Sequence, residues 1–302
     1  MLFRSRGQSI YRGSKTYGYF GGGWLPSYIS TITRLDFSNE TVSDPGNNLP
    51  TKRDGSASIS NNSYGYFGGG FSPPNINTIS RLDFSNETVS DPGKNLPTVR
   101  NSPAAFSSSF YGYFGGGYAV PNINTISRLD FSNETVSNPG KNLPTARSGS
   151  AAFSSSFYGY FGGGYAPGPS SISTITRLDF SNETTSDPGK NLPTARKNLT
   201  ATSTSSYGYF GGGQDLTPTL INTISRLDFS SETISLPGKN LPSSRQNLAA
   251  TSSNFYGYFG GGFTPTSIST ISRLDFSTET VSDPGKNLPT ARNVEAAVSN
   301  SN

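Results

Sequence analysis

The chain has 302 residues, a net charge of +4, and neither cysteine nor histidine. These numbers exclude a disulfide scaffold, a thiolate nucleophile and a Cys/His metal site, and the small charge gives no sign of a nucleic-acid-binding surface. No apolar run reaches the roughly 18 residues of a membrane-spanning helix, so we expect no membrane span. Only 31% of residues are apolar, as in many disordered chains, but aromatic residues make up 12% and recur at fixed positions, which favours a folded protein.

Residues 1–16 precede the first repeat and form a polar, basic leader. Arg4, Arg6, Arg12 and Lys15 supply much of the net charge, and the stretch lacks the apolar segment of a secretory signal. We expect a loosely attached terminus, and the alternative is a tether to a larger assembly.

The remaining sequence consists of six copies of one unit. The motif Tyr-Gly-Tyr-Phe-Gly-Gly-Gly begins at Tyr17, Tyr64, Tyr111, Tyr158, Tyr207 and Tyr256. The steps between these positions are 47, 47, 47, 49 and 49 residues. A unit of this length is too small to bury a core alone, so residues 17–302 are predicted to form one domain of six stacked units.

Each unit contains four stretches that favour β-strands, and none shows a helical period. In the third unit, small residues occupy 101–109 and an aromatic strand is predicted over Phe110–Phe114. Gly115–Gly117 end that strand, and a loop leads to a third strand over Asn122–Phe131. A short fourth strand is predicted over Thr135–Ser137, followed by a Pro-Gly turn.

Six four-stranded units can protect their sheet edges by closing into a ring, so we predict an all-β, six-bladed β-propeller. An open β-solenoid is the alternative, although solenoid turns are usually much shorter than this unit. The first unit lacks the small-residue strand before Tyr17, and the missing piece stands at the other end of the sequence, in residues 293–302. We therefore predict that residues 293–302 pair beside Tyr17–Phe20, complete blade 1 and close the ring.

Three motifs of the unit occur in a fixed order. They are a hydrophobic strand ending in a glycine pair (Tyr113–Gly116), an aliphatic strand with a late aspartate (Leu129-Asp130), and a Leu-Pro-x-x-Arg segment (Leu143–Arg147). This order resembles the kelch repeat over residues 17–302, and the resemblance implies four-stranded propeller blades. It departs at the tryptophan expected on the fourth strand, where the sequence has Val42, Val89, Val136, Thr185, Ile234 and Val281. The interface between blades must then be built differently, with tyrosine and phenylalanine as candidates.

The wording of the repeats suggests a second resemblance. The nearly identical YGYFGGG and RLDFSNET words are similar to repeats in structural and tail-fibre-like proteins of marine bacteriophages. This resemblance implies a virion or extracellular location, and a cytoplasmic propeller is the alternative.

Charged residues recur with the unit. An Arg-Leu-Asp sequence supplies Arg34 and Asp36, Arg81 and Asp83, Arg128 and Asp130, Arg177 and Asp179, Arg226 and Asp228, and Arg273 and Asp275. A glutamate follows each of these aspartates, and a second arginine follows each Leu-Pro pair. A catalytic acid and base need different environments, whereas six equivalent copies would share one. We therefore predict a structural lattice of arginine–carboxylate hydrogen bonds, with no catalytic residues.

We also predict no metal ion and no cofactor. The copper site of enzymes that contain kelch repeats uses histidine and cysteine, which this sequence lacks. A calcium site at Asp130 and Glu134 is disfavoured, because the closely spaced acidic residues of known calcium loops are missing.

The loop after the three glycines differs in every unit, while the sequence on either side barely changes. These variable loops begin with Trp24, Phe71, Tyr118, Tyr165, Gln214 and Phe263. Loops at one end of a rigid scaffold commonly bind partners, and aromatic rings beside polar groups suit a sugar or a protein surface. The alternative is neutral drift of exposed loops.

These observations favour a non-enzymatic structural or binding propeller. Our first hypothesis is a virion module that presents a repeated face to a host glycan or protein, or to other virion subunits. A cellular protein-interaction scaffold is the second hypothesis. An enzyme acting on polysaccharides is the weakest, because no single set of acidic residues stands out from the repeats.

Overall fold

The computed structural model describes residues 15–168, 170–294 and 296–300. Within these ranges the regular elements are β-strands, and they form six four-stranded antiparallel sheets arranged as the blades of a ring. The predicted six-bladed propeller is confirmed, and the solenoid alternative is wrong. In the same ranges no helix is long and apolar enough to cross a membrane.

Each blade has an inner, a second, a third and an outer strand, and blades are numbered in chain order. The inner strands are β4 (Ala57–Ser60), β8 (Ala104–Ser107), β12 (Ala151–Ser154), β18 (Thr200–Ser203), β22 (Ala249–Ser252) and, in blade 1, β26 (Ala297–Ser299). The second strands are β1 (Tyr17–Leu25), β5 (Tyr64–Gly68), β9 (Tyr111–Gly115), β13 (Tyr158–Gly162), β19 (Tyr207–Gly211) and β23 (Tyr256–Gly260). Each inner strand contacts the inner strands of both neighbouring blades, so these six strands surround the axis.

The two remaining strands of each blade lie further out. The third strands are β2 (Ser27–Asp36), β6 (Ile79–Asp83), β10 (Ile126–Asp130), β16 (Ile175–Asp179), β20 (Ile224–Asp228) and β24 (Ile271–Asp275). The outer strands are β3 (Val42–Ser43), β7 (Val89–Ser90), β11 (Val136–Ser137), β17 (Thr185–Ser186), β21 (Ile234–Ser235) and β25 (Val281–Ser282). Two short strands, β14 (Tyr165–Ala166) and β15 (Ser170–Ser171), form a hairpin in the variable loop of blade 4.

Several strand boundaries of blade 3 differ from those predicted: the second, third and outer strands are Tyr111–Gly115, Ile126–Asp130 and Val136–Ser137. The third strand of blade 3 begins at Ile126 instead of Asn122, because the preceding residues bond to loops: Ile123 donates to the Gly117 carbonyl at 2.9 Å. The second strand begins at Tyr111, and Phe110 lies in the turn before it. Gly116 and Gly117 end the strand with φ angles of 67° and 109°, a region that favours glycine.

The C-terminal residues close the ring as predicted. In blade 1, β26 pairs with β1 in the register Gly18↔Ser299, Tyr19↔Val298 and Phe20↔Ala297. Val298 is buried, so the added strand supplies core as well as hydrogen bonds. Within the predicted closing strand, residues 295, 301 and 302 lie outside the described residues. So do residues 1–14 of the leader, and the expectation of a loosely attached terminus stays a prediction.

The hydrophobic core lies between blades. One buried cluster joins Phe106 and Tyr113 of blade 3 to Phe161 and Leu178 of blade 4, and five similar clusters occupy the other joints. A Cβ atom on Gly115 would lie 2.5 Å from the ring of Phe161, so this glycine lets the neighbouring ring fit. Phenylalanine and tyrosine thus fill the joint that a kelch-type blade fills with tryptophan.

Candidate functional site

The antiparallel order of strands gives the ring two different faces. The turns between inner and second strands and between third and outer strands lie on one side, here called the turn face. The variable loops and the Leu-Pro-x-x-Arg segments lie on the other side, here called the loop face. Residues of the two faces are therefore separated by the length of the blades.

The first arginine of each unit lies in the joint between two blades. Arg128 of blade 3 forms hydrogen bonds of 3.0 Å to both carboxylate oxygens of Glu183 in blade 4, and the Tyr113 hydroxyl donates to the same glutamate at 3.0 Å. The Arg128 guanidinium also lies over the Tyr111 ring, 4.5 Å from its centre. Burial and the charge of Glu183 raise the pKa of Tyr113 well above its usual value, so the hydroxyl remains a donor.

This arrangement is repeated around the whole ring. The ion pairs are Arg34–Glu87, Arg81–Glu134, Arg128–Glu183, Arg177–Glu232, Arg226–Glu279 and Arg273–Glu40, with shortest distances of 2.9–3.0 Å. In each pair the arginine belongs to one blade and the glutamate to the next. These side chains hold neighbouring blades together through ion pairs with one another.

The aspartates of the Arg-Leu-Asp sequences have a different role. Asp130 Oδ1 accepts hydrogen bonds from the Ser132 amide at 2.8 Å and the Ser132 hydroxyl at 2.6 Å. These hydrogen bonds lower the pKa of Asp130, which keeps the carboxylate ionised. The same bonds cap the equivalent turns at Asp36, Asp83, Asp179, Asp228 and Asp275.

The second arginine of each unit is almost completely buried. Arg147 is 1% exposed and donates to the carbonyls of Gly163 and Thr174, both at 3.2 Å, and to the Thr176 hydroxyl of the next blade. All of its hydrogen-bond partners are neutral. Burial lowers the pKa of Arg147 to about 10, so the guanidinium is protonated at neutral pH. Its equivalents are Arg53, Arg100, Arg196, Arg245 and Arg292.

These buried arginines complete the backbone hydrogen bonding at the end of the second strand. The glycine-rich bend turns carbonyl oxygens such as Gly163 O out of the sheet ladder. A buried carbonyl without a donor costs free energy, and the planar guanidinium reaches several such oxygens at once. We infer a structural role for this arginine at every joint.

The six residues predicted to bind a partner all lie on the loop face, at the same position of each blade. Each is held by an antiparallel backbone bridge, as in Phe71, whose amide donates to the Asp54 carbonyl at 2.7 Å. The bridged pairs are Trp24–Asn293, Phe71–Asp54, Tyr118–Asn101, Tyr165–Ser148, Gln214–Lys197 and Phe263–Gln246. The ring therefore spreads these side chains around one face and does not bring them together in one pocket.

Exposure differs among these positions. Tyr118 is 44% exposed and Trp24 is 37% exposed, whereas the other four side chains are half-buried. The Tyr165 ring lies beneath Lys197, whose Nζ atom is 4.6 Å from the ring centre. Val120 and Leu216 extend the apolar surface of their loops. The loop face offers separate aromatic and aliphatic contacts on a fixed backbone.

A polar well opens on the turn face, and the sequence interpretation missed it. Its volume is about 620 Å³. One serine from each inner strand lines it: Ser60, Ser107, Ser154, Ser203, Ser252 and Ser299. A second ring of its wall consists of one serine and five alanines: Ser58, Ala105, Ala152, Ala201, Ala250 and Ala297. The Lys15 ammonium group donates to the Ser252 hydroxyl at 2.8 Å.

The well extends sideways between blades 2 and 3. There it is bordered by the turn at Asn61–Ser63 on one side and by Phe110 on the other, with Asp130 and Ser132 nearby. Phe110 is 69% exposed. Phe157 and Phe255 occupy the same position in blades 4 and 6, are each 72% exposed and do not line the well.

Among the described residues no group of three or more acidic, histidine or cysteine side chains could hold a metal ion. No model of a known protein family matches this chain, and no curated protein has a similar sequence at a significant level. The kelch and bacteriophage resemblances therefore rest on the repeat motifs alone, while the propeller architecture is shown by the six blades.

Proposed function

We propose that this propeller is a non-catalytic binding module of a virus particle that contacts a host glycan or protein through its loop face. The observation that carries the proposal is the contrast between a fixed scaffold and variable exposed side chains. The joints repeat the same ion pair six times. The loops of the loop face present a different surface on each blade, including exposed Trp24 and Tyr118.

Two further observations support this assignment. The repeated arginines and glutamates bind one another across the joints, so their role is structural. This pairing argues against a catalytic acid–base pair. The repeat words are similar to those of phage structural and tail-fibre-like proteins, which supports a virion or extracellular location. Weak contacts from several blades would add to a stronger attachment if they reach one surface together.

A cellular protein-interaction scaffold is the second candidate, favoured by the kelch-like order of motifs. Both candidates use the loop face, and they differ in partner and location. A cytoplasmic scaffold would bind one protein stably, whereas an attachment module would bind cell surfaces through repeated weak contacts.

The test compares variants on the two faces. The purified chain and the Trp24→Ala and Tyr118→Ala variants would be assayed on a glycan array and on intact candidate host cells. We expect both variants to bind at least several-fold more weakly and to melt at the same temperature as the parent chain. Phe157→Ser on the turn face is the matched control and should bind like the parent.

Three results would contradict the proposal in different ways. Absence of binding to glycans and cells, with capture of one stable cellular protein, would favour the scaffold. Equal binding by all variants would remove the loop face from the interaction. Turnover of a polysaccharide that is lost on changing one carboxylate, but not its repeat equivalents, would make the protein an enzyme.

A further inference from the structure

The well on the turn face has the size of a small-molecule site. Its volume of about 620 Å³ lies within the range of about 300–1,000 Å³ that ligand pockets occupy. Serine is the commonest residue in its wall, and asparagine and threonine add further polar groups. We propose that this well, together with its extension between blades 2 and 3, binds a neutral saccharide.

The charge of the wall selects an uncharged ligand. Among the described residues, Lys15 and Asp130 are the charged side chains that line the well, and their charges are opposite. Lys15 is bonded to Ser252, and one oxygen of Asp130 is bonded to Ser132. Over the part of the wall that the structure describes, there is no excess of either sign for an anion or a cation to neutralise, and the remaining polar side chains are hydroxyls and amides.

The serine ring suits a ligand with many hydroxyl groups. A serine hydroxyl can donate one hydrogen bond and accept two. The Ser154 hydroxyl donates to the Ser107 carbonyl at 2.7 Å, and the Ser107 hydroxyl accepts from the Ser60 amide at 3.0 Å. The Ser107 and Ser154 hydroxyls thus keep acceptor capacity. A saccharide presents alternating donors and acceptors that can use it.

Phe110 supplies the apolar part of the site. Its ring is 69% exposed at the edge of the well, close to the Asp130 turn. Folding does not require an aromatic ring here, because Ser63 and Ser206 occupy the same position in blades 2 and 5. An aromatic face beside a carboxylate and an amide fits the apolar C–H face and the hydroxyl edge of a pyranose ring.

This inference concerns the face opposite the variable loops and does not rest on the proposed function. Saturation-transfer NMR on the full chain tests it, with glucose, galactose, mannose and N-acetylglucosamine as probes at up to about 10 mM, which covers weak millimolar binding. We expect transfer to at least one of these sugars. Glycerol, which lacks a ring, and glucuronate, which carries a negative charge, should bind more weakly.

Variants at one repeat position locate the site. Phe110→Ser should weaken binding of the responding sugar about tenfold, and Phe110→Tyr, which keeps the ring, should bind like the parent. Phe255→Ser is the matched control, because Phe255 has the equivalent position and a similar exposure (72% against 69%) but does not line the well. Melting temperatures of all three variants should equal that of the parent.

The proposal fails if none of the four sugars receives saturation at the highest concentration. It also fails if glucuronate binds better than the neutral sugars, or if Phe255→Ser weakens binding as much as Phe110→Ser. Should Phe110→Ser fail to fold, Asp130→Asn keeps the turn-capping oxygen and must still weaken sugar binding. Trp24→Ala on the loop face should leave this binding unchanged, which separates it from the proposed attachment function.

Discussion

The joints between blades and the loops on one face differ in how strictly they repeat. Every joint contains the same arginine–glutamate pair at 2.9–3.0 Å, with a tyrosine hydroxyl on the glutamate. The loops vary even in secondary structure. In blade 1 the β1–β2 ladder continues through the loop to the pair Leu25↔Ser27, blade 4 has a separate hairpin (Tyr165–Ser171), and the other described loops have only isolated bridges. A substitution in a joint must be matched by a substitution in the neighbouring blade. A substitution in an exposed loop changes mainly contacts with water and needs no such match.

The joint that closes the ring follows the same rule, although its residues come from distant parts of the chain. Arg273 of blade 6 pairs with Glu40 of blade 1 at 2.9 Å, and the Tyr258 hydroxyl donates to Glu40 at 3.0 Å. The same contacts therefore form whether or not the two blades are consecutive in the chain. They depend on the residues of the repeated unit and on the C-terminal strand that completes blade 1.

Deleting residues 293–302 should cause the largest loss of stability, because the closing joint then lacks the strand that completes blade 1. The deletion removes the inner strand of blade 1, including buried Val294 and Val298, and exposes the edge of β1. From the lost apolar burial and hydrogen bonds we expect a loss of about 5 kcal/mol or more in unfolding free energy. Chemical denaturation of the truncated and full chains measures the difference.

A synthetic peptide with the sequence of residues 293–302 provides the control. Added to the truncated chain in excess, it should restore much of the lost stability, because the strand pairs through its own backbone. An unchanged denaturation midpoint on deletion would show that closure by this strand does not stabilise the ring.

Replacing a buried arginine should have the next largest effect. Arg147→Met removes the donors to Gly163 O, Thr174 O and the Thr176 hydroxyl while filling much of the space. We expect a loss of about 3 kcal/mol, since buried acceptors are left without donors. The measurement is again denaturant unfolding, at a pH near neutrality where the guanidinium is charged.

Arg128→Met is the comparison within the same unit. Its side chain is 27% exposed and its partner Glu183 is 21% exposed, so water screens the pair and can solvate the glutamate. We expect a loss of about 1 kcal/mol. If Arg147→Met cost no more than Arg128→Met, the desolvation of the buried charge would cancel its hydrogen bonds, and the inferred structural role would be wrong.

The repeat predicted the fold well because blade number and ring closure depend on counting. Six copies of the Tyr-Gly-Tyr-Phe word fix the number of blades, and a missing strand before Tyr17 requires a replacement from residues 293–302. Strand length was harder to predict. Residues 122–125 have strand-forming composition, but the Ile123 amide donates to the Gly117 carbonyl and the Asn124 carbonyl accepts from the Leu143 amide. No local propensity reveals these contacts.

The site was predicted only in part. The variable loops could be placed on one face, because each follows the second strand of its blade and the antiparallel strand order puts all six at the same end of the blades. The polar well was missed because the only sequence feature that marks it is a run of small residues on the inner strands. Ala105 and Ser107 line the well, but small residues are equally typical of tightly packed strands. Phe110 was assigned to a strand, and its exposure depends on where the turn ends.

The smallest expected effect distinguishes the two tyrosines of one strand. Tyr113→Phe removes one donor from Glu183 and should cost about 0.5–1 kcal/mol, because Arg128 still binds both carboxylate oxygens. Tyr111→Phe keeps the ring beneath Arg128 and should cost less than about 0.5 kcal/mol. Unfolding free energies of the two single variants measure this contrast. Equal losses would mean that the ring contacts, and not the hydroxyl–glutamate bond, determine the strength of the joint.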